Sequence, residues 1–307
     1  MLIYIARRVL QTIPVMIGVT FFVFLLLYLV PGDPARILAG ETADPASVEL
    51  LREQLGLNDP FYVQYFRFLR RISQGDMGYS NRSNRPVVNE IFEARFGTTM
   101  QLAVSATIVT TLLGLLVGII QATRKYSYMD TFLMILSFIF ISIPNFFLGI
   151  LLIRFFGVQL RLLPIIGWGT WQQMVMPVMM LALTGSAVVA RMTRANLIEV
   201  MNQDYVRTAY SKGLSQRIVV YKHALRNALI PVITIVGLQF GGLLAGAAIT
   251  ETIFAINGMG RFMIEAIQLR DFPVVQGALL VTASLFVLVN LLVDVTYRLI
   301  NKRIDYS

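Results

Sequence analysis

Long apolar stretches alternate with shorter polar segments along this chain of 307 residues. A helix needs about 20 mostly apolar residues to span a bilayer, and six stretches approach or exceed that length. The fourth is the shortest and has Pro177 near its start, so it spans only if its helix begins near Trp171 or continues past Arg191. The predicted spans are Val9–Val30, Thr99–Thr123, Thr131–Phe156, Met174–Val189, Val232–Phe254 and Val274–Ile300.

The polar segment after the first span carries the signals of three short helices. Two of them start at an Asp-Pro pair, which supplies a capping acid and a proline at the first helical position, and stop at a glycine. A third starts at a proline. We predict these helices from Asp44 to Gly56, from Asp59 to Gly75 and from Pro86 onward.

These patterns divide the chain into four parts. Pro31 and Gly32 end the first span, so residues 1–30 hold the N-terminus and that span. Residues 31–98 form a helical insertion, and residues 99–300 form a core of five spans with a polar loop at 191–230. Residues 301–307 form a short tail.

Composition agrees with an all-α integral membrane protein. Hydrophobic residues make up 56% of the chain and charged residues only 14%, with a mean hydropathy of +0.69, whereas a soluble domain has about 25% charged residues. A membrane β-barrel would alternate polar and apolar residues over roughly ten-residue strands. The chain has no cysteine and one histidine, which excludes a disulfide framework and a Cys- or His-rich metal site.

The distribution of basic residues predicts the orientation. The net charge of +9 is compatible with a nucleic acid partner, but membrane proteins retain Lys and Arg on the cytoplasmic side, which accounts for the same charge. With the N-terminus inside, 14 of the 26 basic residues lie in cytoplasmic segments, whereas in 31–98 eight basic residues face nine acidic ones. We therefore predict a multi-pass protein of the cell membrane with both termini cytoplasmic and no nucleic acid partner.

The polar loop at 191–230 is the candidate functional site. Asn202 or Asp204 can cap a helix with one apolar face, and Gly213 sits where a C′ glycine would end it. A second helical stretch, from Gln216 to Ala228, leads into Pro231. A short amphipathic helix of this kind fits a groove on a partner, or it lies on anionic lipid. The apolar face of the first helix comprises Tyr205, Val206, Ala209 and Tyr210.

This loop resembles the EAA loop of permease subunits of binding-protein-dependent ABC importers, whose pattern is roughly Glu-Ala-Ala-x3-Gly-x9-Ile-x-Leu-Pro. Ala209 and Gly213 hold the second Ala and the Gly. The departures from that pattern resemble the peptide-importer branch, in which "DYVRTAxxKG…KHALRNAxxP" is typical. The departing residues are Arg207 and Thr208 at the Glu and first Ala positions, and His223 and Arg226 at the Ile and Pro positions, whereas Leu225 holds the Leu position.

Other segments resemble the same branch, so that the likeness covers nearly the whole chain. They are "ARRVLQTIPVMIGVTFFVF…VPGDPA", "QLGLNDPFYVQYFRFL", "QGDMGYS", "IPNFFLGILL" and "ETIFAINGMGRFMIEAIQLRDFPVVQG". The chain is identified as a member of the dipeptide/oligopeptide (Dpp/Opp-type) family, as its first permease subunit. That group also includes glutathione and nickel permeases.

The resemblance implies a fold and a mechanism. The fold is that of a type I (MetI-like) ABC permease with six transmembrane helices and a helical extracytoplasmic insertion. The chain forms half of a heterodimeric pathway for di- or oligopeptides and is not itself an enzyme. It has no Gly-x4-Gly-Lys-Ser/Thr loop, so ATP and Mg²⁺ bind on separate subunits.

The partners that the resemblance implies are a second permease, two ATP-binding subunits and an extracytoplasmic substrate-binding protein, besides membrane lipid. The loop helix would enter a groove on an ATP-binding subunit. The predicted docking residues are Tyr205, Arg207, Thr208, Ala209, Lys212, Gly213, His223 and Arg226.

Several polar or small residues elsewhere allow two readings. His223 is either a pH switch or a plain loop contact. The small residues of the fifth span pack within the subunit or against a second permease. Glu251 and Arg154 are placed near the outer interface, and Asp294 near the inner end, where it can pair with Arg298. The small residues are Gly237, Gly241, Gly242, Ala245 and Gly246.

Two other classes of function stay open on the residues alone. An ion-coupled secondary transporter predicts ionisable residues in mid-span and often repeat symmetry, and neither is evident. A non-transporting scaffold predicts that the purified partners give no ATP-dependent uptake. An intramembrane enzyme would need a catalytic constellation, and no Ser-His-Asp arrangement is visible.

Overall fold

The computed structural model describes residues 2–29, 33–40 and 42–300. Their regular secondary structure is helical, and the strand-like pairing among them is an isolated β-bridge between Tyr79 and Pro86. In chain order the helices are α1 (Leu2–Leu29), α2 (Pro34–Ala39), α3 (Pro45–Gln54), α4 (Phe61–Ser73), α5 (Val87–Phe92), α6 (Phe96–Thr123), α7 (Tyr128–Ser142), α8 (Asn145–Leu152), π1 (Ile153–Gln159), α9 (Trp171–Met201), α10 (Asp204–Ser211), α11 (Gln216–Ile218), π2 (Val219–Ala224), α12 (Leu225–Gly246), α13 (Ala248–Ile253), α14 (Met259–Gln268) and α15 (Phe272–Ile300). The predicted end of the first span at Pro31 and Gly32 and the tail at 301–307 lie outside the described residues.

The third predicted span is broken instead of continuous. α7 and α8 meet at a bend of 103°. Ile143 between them is extended, with φ −77° and ψ 124°, because a following proline disfavours helical backbone at the residue before it. Pro144 also lacks the N–H that a continuous helix would use.

Six candidate spans result when this bent pair counts as one, in agreement with the six predicted from hydropathy. Each of the other five is long and apolar enough to cross a bilayer. They cover Ala6–Leu26, Val87–Thr123, Trp171–Met201, Gln216–Leu244 and Phe272–Thr296.

The fourth span is longer than the hydropathy pattern alone indicated. α9 begins at Trp171 and continues past Arg191, for 31 residues in all. Thr170 and Gln173 form a capping box at its start: the Gln173 amide donates to Thr170 Oγ1, and the Thr170 amide donates to Gln173 Oε1 (3.1 Å). The sequence required one of these two extensions, and both are present.

The predicted bounds of the fifth span, Val232–Phe254, are wrong at both ends. Helical backbone runs without a break over Gln216–Leu244, so the helix that contains the span begins inside the polar loop. Pro231 lies within α12 and does not start it, because neighbouring groups in membrane helices can satisfy the carbonyl that a proline leaves free. The chain then forms a separate short helix, α13.

The insertion contains the three predicted helices and one more. α3, α4 and α5 correspond to the predictions, whereas α2 was missed, although Asp33 caps it by accepting a hydrogen bond from the Ala35 amide (3.1 Å). Asp44 is the N-cap of α3 as predicted, although its side chain makes no capping bond. The predicted acid cap of α4 is wrong, because Pro60 occupies that N-cap position. Asp59 instead pairs with Arg67 (2.6 Å).

Two compact units make up the chain. One comprises Met1–Phe96 with Phe262–Ser284, and the other comprises Gly97–Arg261 with Leu285–Ser307. In the first unit, buried Val23, Phe68 and Leu280 pack together, which joins α1, α4 and α15. Burial of such side chains contributes about 1.5–3 kcal/mol each.

In the second unit, α6 and α9 approach closely at two glycines one turn apart. A Cβ on Gly114 would lie 2.5 Å from the Val189 Cβ, and a Cβ on Gly118 would lie 2.6 Å from the Ala190 carbonyl oxygen. Small residues spaced by four allow helix backbones to come this near. The contact fixes α9, whose far end carries the polar loop.

Candidate docking surface

α10 forms the first arm of the polar loop. Neither of the two residues predicted as its N-cap, Asn202 or Asp204, occupies that position. Asn202 ends α9, and its side chain donates to the Ile198 carbonyl (3.0 Å). Gln203 is the N-cap of α10 and makes no side-chain capping bond. Asp204 lies in the first turn of the helix, where a carboxylate is favourable to the helix dipole.

The predicted apolar face of α10 divides into a buried half and an exposed half. Val206 and Ala209 are buried, three residues apart, against residues of α9, π2 and α12. Tyr205 and Tyr210 are 43% and 40% exposed. The helix is therefore fixed to the protein by its small apolar side chains and presents its tyrosines outward. The buried cluster around it comprises Leu197, Val219, Val220, Ala224 and Ala228.

Gly213 ends α10 as the sequence predicted. Its φ of +77° lies in the left-handed region that favours glycine. The Gly213 amide donates to the Tyr210 carbonyl (2.9 Å), and the Leu214 amide donates to the Ala209 carbonyl (3.4 Å). These two bonds are those of a Schellman motif, which turns the chain sharply toward α11.

The second arm of the loop is continuous with the fifth span. α11, the π-helical turn π2 and α12 follow one another without a break. The two arms are joined near their bases by Asn227, whose side-chain nitrogen donates to the Tyr205 hydroxyl (2.8 Å). Together with the buried cluster, this bond gives the loop one defined shape.

The eight predicted docking residues do not all lie on the surface. Ala209 is buried and His223 is half-buried. Ala209 therefore holds α10 in place and is not available as a contact. The six that are exposed are Tyr205, Arg207, Thr208, Lys212, Gly213 and Arg226.

The exposed surface of the loop is strongly basic. Residues 205–226 include five Lys or Arg and no Asp or Glu. Asp204 lies 3.8 Å from Arg207, but both side chains are largely exposed, and such pairs contribute little. The five basic residues are Arg207, Lys212, Arg217, Lys222 and Arg226, all exposed.

Arg194, at the start of the polar loop, forms an ion pair with Asp130 that the sequence did not predict. Arg194 of α9 donates from Nε to Asp130 Oδ1 (2.9 Å) and from Nη2 to Asp130 Oδ2 (2.8 Å). The sequence showed each residue only as a charge on the cytoplasmic side. A separation of 64 residues leaves no local signal that would join them.

Glu251 lies in a different environment from the one expected. The sequence placed it near the outer interface, where a charge costs little, but it is fully buried. The position relative to the interface stays a prediction, but the exposure expected there is wrong, because the carboxyl group is enclosed by polar hydrogens of the chain itself. Oε1 accepts from the Thr99 hydroxyl (2.6 Å), and Oε2 accepts from the Arg261 amide (2.9 Å). Arg154, in contrast, is exposed.

The glycines of the fifth span favour packing within the subunit at two positions. A Cβ on Gly237 would lie 2.1 Å from Val293 Cγ2, and one on Gly241 would lie 3.1 Å from the Phe286 ring. Gly242 faces open space. The side chains at 245 and 246 lie outside the described residues, as does that of Arg298, the predicted partner of Asp294.

Comparison with solved structures identifies the class of protein. An inward-facing form of the MetNI methionine ABC transporter superposes with a TM-score of 0.58 at 18% identity, over 67% of this chain and 94% of that chain. An amino acid ABC transporter with histidines gives a TM-score of 0.51 at 17% identity, over 77% and 98%. The fold is that of a type I ABC permease, an all-α integral membrane protein.

Two family models and full-length relatives then identify the family. Residues 114–306 match the binding-protein-dependent transport system inner membrane component, and residues 1–103 match the N-terminal model of such membrane components. The glutathione transport system permease protein GsiC of Escherichia coli K12 is 43% identical over 307 residues, all of both chains. That of Shigella boydii serotype 4 is 42% identical over the same length. The chain belongs to this family of ABC importer permease subunits, in the dipeptide/oligopeptide branch with glutathione relatives.

Membership has direct consequences for the chain. It is a multi-pass protein of the inner membrane and a transporter subunit. An ABC importer permease works with an ATP-hydrolysing partner and a substrate-binding protein.

Proposed function

We propose that this permease forms half of the pathway of an importer for short peptides and that α10 docks into a groove on a separate ATP-hydrolysing subunit. Glutathione, itself a short peptide, is the first substrate to test, because relatives at 43% identity over their whole length carry that name. The second half of the pathway would be a sibling permease. Two ATP-binding subunits and an extracytoplasmic binding protein complete the proposed importer, with ATP and Mg²⁺ held on the ATP-binding subunits.

The observation that carries docking is the way α10 is held. Val206 and Ala209 are buried in the protein, and Asn227 fixes the Tyr205 hydroxyl. The outward face then presents two tyrosines beside Arg207 and Lys212. Tyrosine and arginine are enriched among residues that dominate protein–protein binding energy, and a rigid surface loses little entropy when it binds.

The same observation argues against a lipid-bound helix. An interfacial helix places its apolar face in the bilayer. The small apolar side chains of α10, Val206 and Ala209, are instead covered by residues of α9, π2 and α12. What remains exposed is polar or aromatic, which suits a protein groove.

Docking requires the loop to lie in the cytoplasm, and we propose the corresponding topology. The loop at 191–230 and both termini are cytoplasmic, and the insertion at 31–98 is extracytoplasmic. Residues 99–300 form the permease core. The basic residues of the loop support this arrangement, since Lys and Arg are retained on the cytoplasmic side.

Purification of the chain from its native membrane tests the assembly. We expect two ATP-binding subunits and a second, different permease to purify with it. A solitary homodimer would overturn the proposal.

Reconstitution of the purified complex with its binding protein tests transport and substrate. We expect ATP-dependent uptake of glutathione or of a dipeptide. Each compound should inhibit uptake of the other. Uptake driven by an ion gradient without ATP would indicate a secondary transporter, and no uptake with any partner would indicate a scaffold.

A further inference from the structure

We propose that Asp130 and Arg194 are a pair of positioning residues that make the start of α7 move together with α9 and α10 during transport. The proposal rests on the proposed docking of α10, and it assigns to this pair the step that follows docking. It concerns two helices that the sequence alone did not connect.

The geometry of the pair resists both rotation and sliding of the two helices. The Arg194 guanidinium meets both carboxylate oxygens of Asp130 through two separate nitrogens, at 2.9 and 2.8 Å. Such fork-to-fork contacts fix the orientation as well as the distance of the two groups. The Asp130 side chain is 2% exposed and that of Arg194 is 23% exposed, so water weakens the contact little.

Asp130 is also held by hydrogen bonds with the residues that precede it in the chain. Its Oδ2 also accepts a hydrogen bond from the Tyr126 amide (3.0 Å), and its own amide donates to Ser127 Oγ (3.2 Å). Tyr126 has a φ of +64°, a conformation that a residue other than glycine rarely adopts. The carboxylate therefore joins three parts: the turn before α7, the first turn of α7, and α9.

Arg194 is connected to the docking surface through the end of α9. Leu197 lies one turn further along the same helix, where it is buried in the cluster that also holds Val206 of α10. An α-helix transmits displacement along its axis because every backbone bond is closed within it. A displacement of α10 that reaches Leu197 therefore reaches Arg194 and, through the ion pair, Asp130.

Stability alone is a poor explanation for this arrangement. Well-packed apolar side chains of similar volume often match or exceed a buried ion pair in stability. Apolar contacts, however, do not hold one orientation as a two-bond contact does. The property that this pair supplies is alignment of two helices, which a transporter needs when it converts movement at the loop into movement of a span.

The test uses the complete importer in proteoliposomes, with its ATP-binding subunits and binding protein. ATP hydrolysis and uptake are measured side by side for Asp130→Asn, Arg194→Gln, Arg194→Lys and the double variant Asp130→Asn/Arg194→Gln. We expect each single variant to lower uptake per ATP hydrolysed about tenfold while hydrolysis continues. The double variant should be no worse than either single one, because both changes break one contact.

Arg194→Lys distinguishes a loss of coupling from a loss of folding. It preserves the charge and the ion pair but removes the second hydrogen bond to the carboxylate. It should assemble normally and still lose coupling. Asp59→Asn removes one partner of the exposed Asp59–Arg67 pair and serves as the matched control, with uptake per ATP unchanged.

Three results would overturn the inference. One is an unchanged ratio of uptake to hydrolysis in Arg194→Lys, and another is a loss of both activities in equal proportion. The third is an additive effect in the double variant. Failure of docking would look different: the ATP-binding subunits would then be absent from the complex formed by the unmodified chain.

Discussion

The Thr99 hydroxyl donates a hydrogen bond to Glu251 Oε1 (2.6 Å) while it accepts one from the Met259 amide (2.9 Å). Glu251 Oε2 accepts in turn from the Arg261 amide (2.9 Å). A hydroxyl of α6 and a carboxylate of α13 thus satisfy two backbone amides at the start of α14, which the helix itself leaves without partners. The Glu251 carboxyl group also lies at the positive end of the helix dipole.

Thr99→Val is expected to destabilise the protein through this contact. Valine has the shape of threonine but leaves the Met259 amide unpaired in the interior and removes a donor from Glu251. An unpaired buried polar group costs about 1–3 kcal/mol. The measurement is the midpoint of thermal unfolding in detergent. Thr99→Ser retains the hydroxyl and should unfold close to the unmodified chain; equal loss in both variants would show that the methyl group matters instead.

Gly118→Ala is expected to destabilise the contact between α6 and α9. The added carbon would lie 2.6 Å from the Ala190 carbonyl oxygen, which belongs to a backbone and cannot rotate away. Overpacking of this kind costs about 1–3 kcal/mol.

Gly242→Ala is the matched control for that change, because it lies in a helix and its Cβ would meet nothing within 4 Å. Alanine there should leave stability equal or raise it by about 0.5–1 kcal/mol. The measurement is the midpoint of thermal unfolding of the isolated chain, compared between Gly118→Ala and Gly242→Ala. The packing argument is wrong if both alanines act alike.

Gly213→Val is expected to weaken binding of the ATP-hydrolysing subunit. Valine at φ +77° is strained by about 1–2 kcal/mol. Relief of that strain requires the end of α10 to move out of the shape in which the partner would bind it, so affinity should fall about 5- to 30-fold. Titration of the purified subunit against the reconstituted permease measures this.

Two controls separate docking from general strain. Gly75 has the same φ of +77°, also ends a helix and also faces open space. Gly75→Val should therefore carry the same strain and leave the affinity unchanged. Gly213→Asn should bind more tightly than Gly213→Val, since asparagine tolerates the left-handed region. Equal losses from Gly75→Val and Gly213→Val would argue against docking at this loop.

Cysteine labelling tests the proposed orientation without any preparatory substitutions, because the chain has no cysteine of its own. Arg82 in the insertion and Lys212 in the loop are both exposed. In spheroplasts, a membrane-impermeant maleimide should label Arg82→Cys and should label Lys212→Cys only after permeabilisation. Labelling of Lys212→Cys in intact spheroplasts would place the loop on the wrong side for docking.

Local signals in the sequence were sufficient for the helices and for several of their ends. Gly56, Gly75 and Gly213 were predicted as terminators, and all three have positive φ values. Their conformation depends on residues within one turn, so a short window of sequence contains the information. The same window was misleading at Pro231, where the surrounding helix overrides the preference of proline for a first turn.

Contacts between distant residues were not predictable in the same way. Asp130 and Arg194 are 64 residues apart, and Thr99 and Glu251 are 152 apart. A charge in a sequence does not show whether it faces water or a partner. The division of the α10 face into buried Val206 and Ala209 and exposed tyrosines likewise depends on which neighbours cover the helix.

The unbroken helical backbone from Gln216 to Leu244 comprises 29 residues, about 44 Å at 1.5 Å per residue. It includes the π-helical turn π2 and Pro231, features at which helices can bend, but its backbone has no non-helical break between the loop and the other end. Linkage is reciprocal, so any preference expressed at the membrane-embedded end returns to the end in the loop with the same free energy. Under the proposed docking, this continuous backbone would convey the occupancy of the pathway to the ATP-hydrolysing subunit by the same route through which that subunit acts on the pathway.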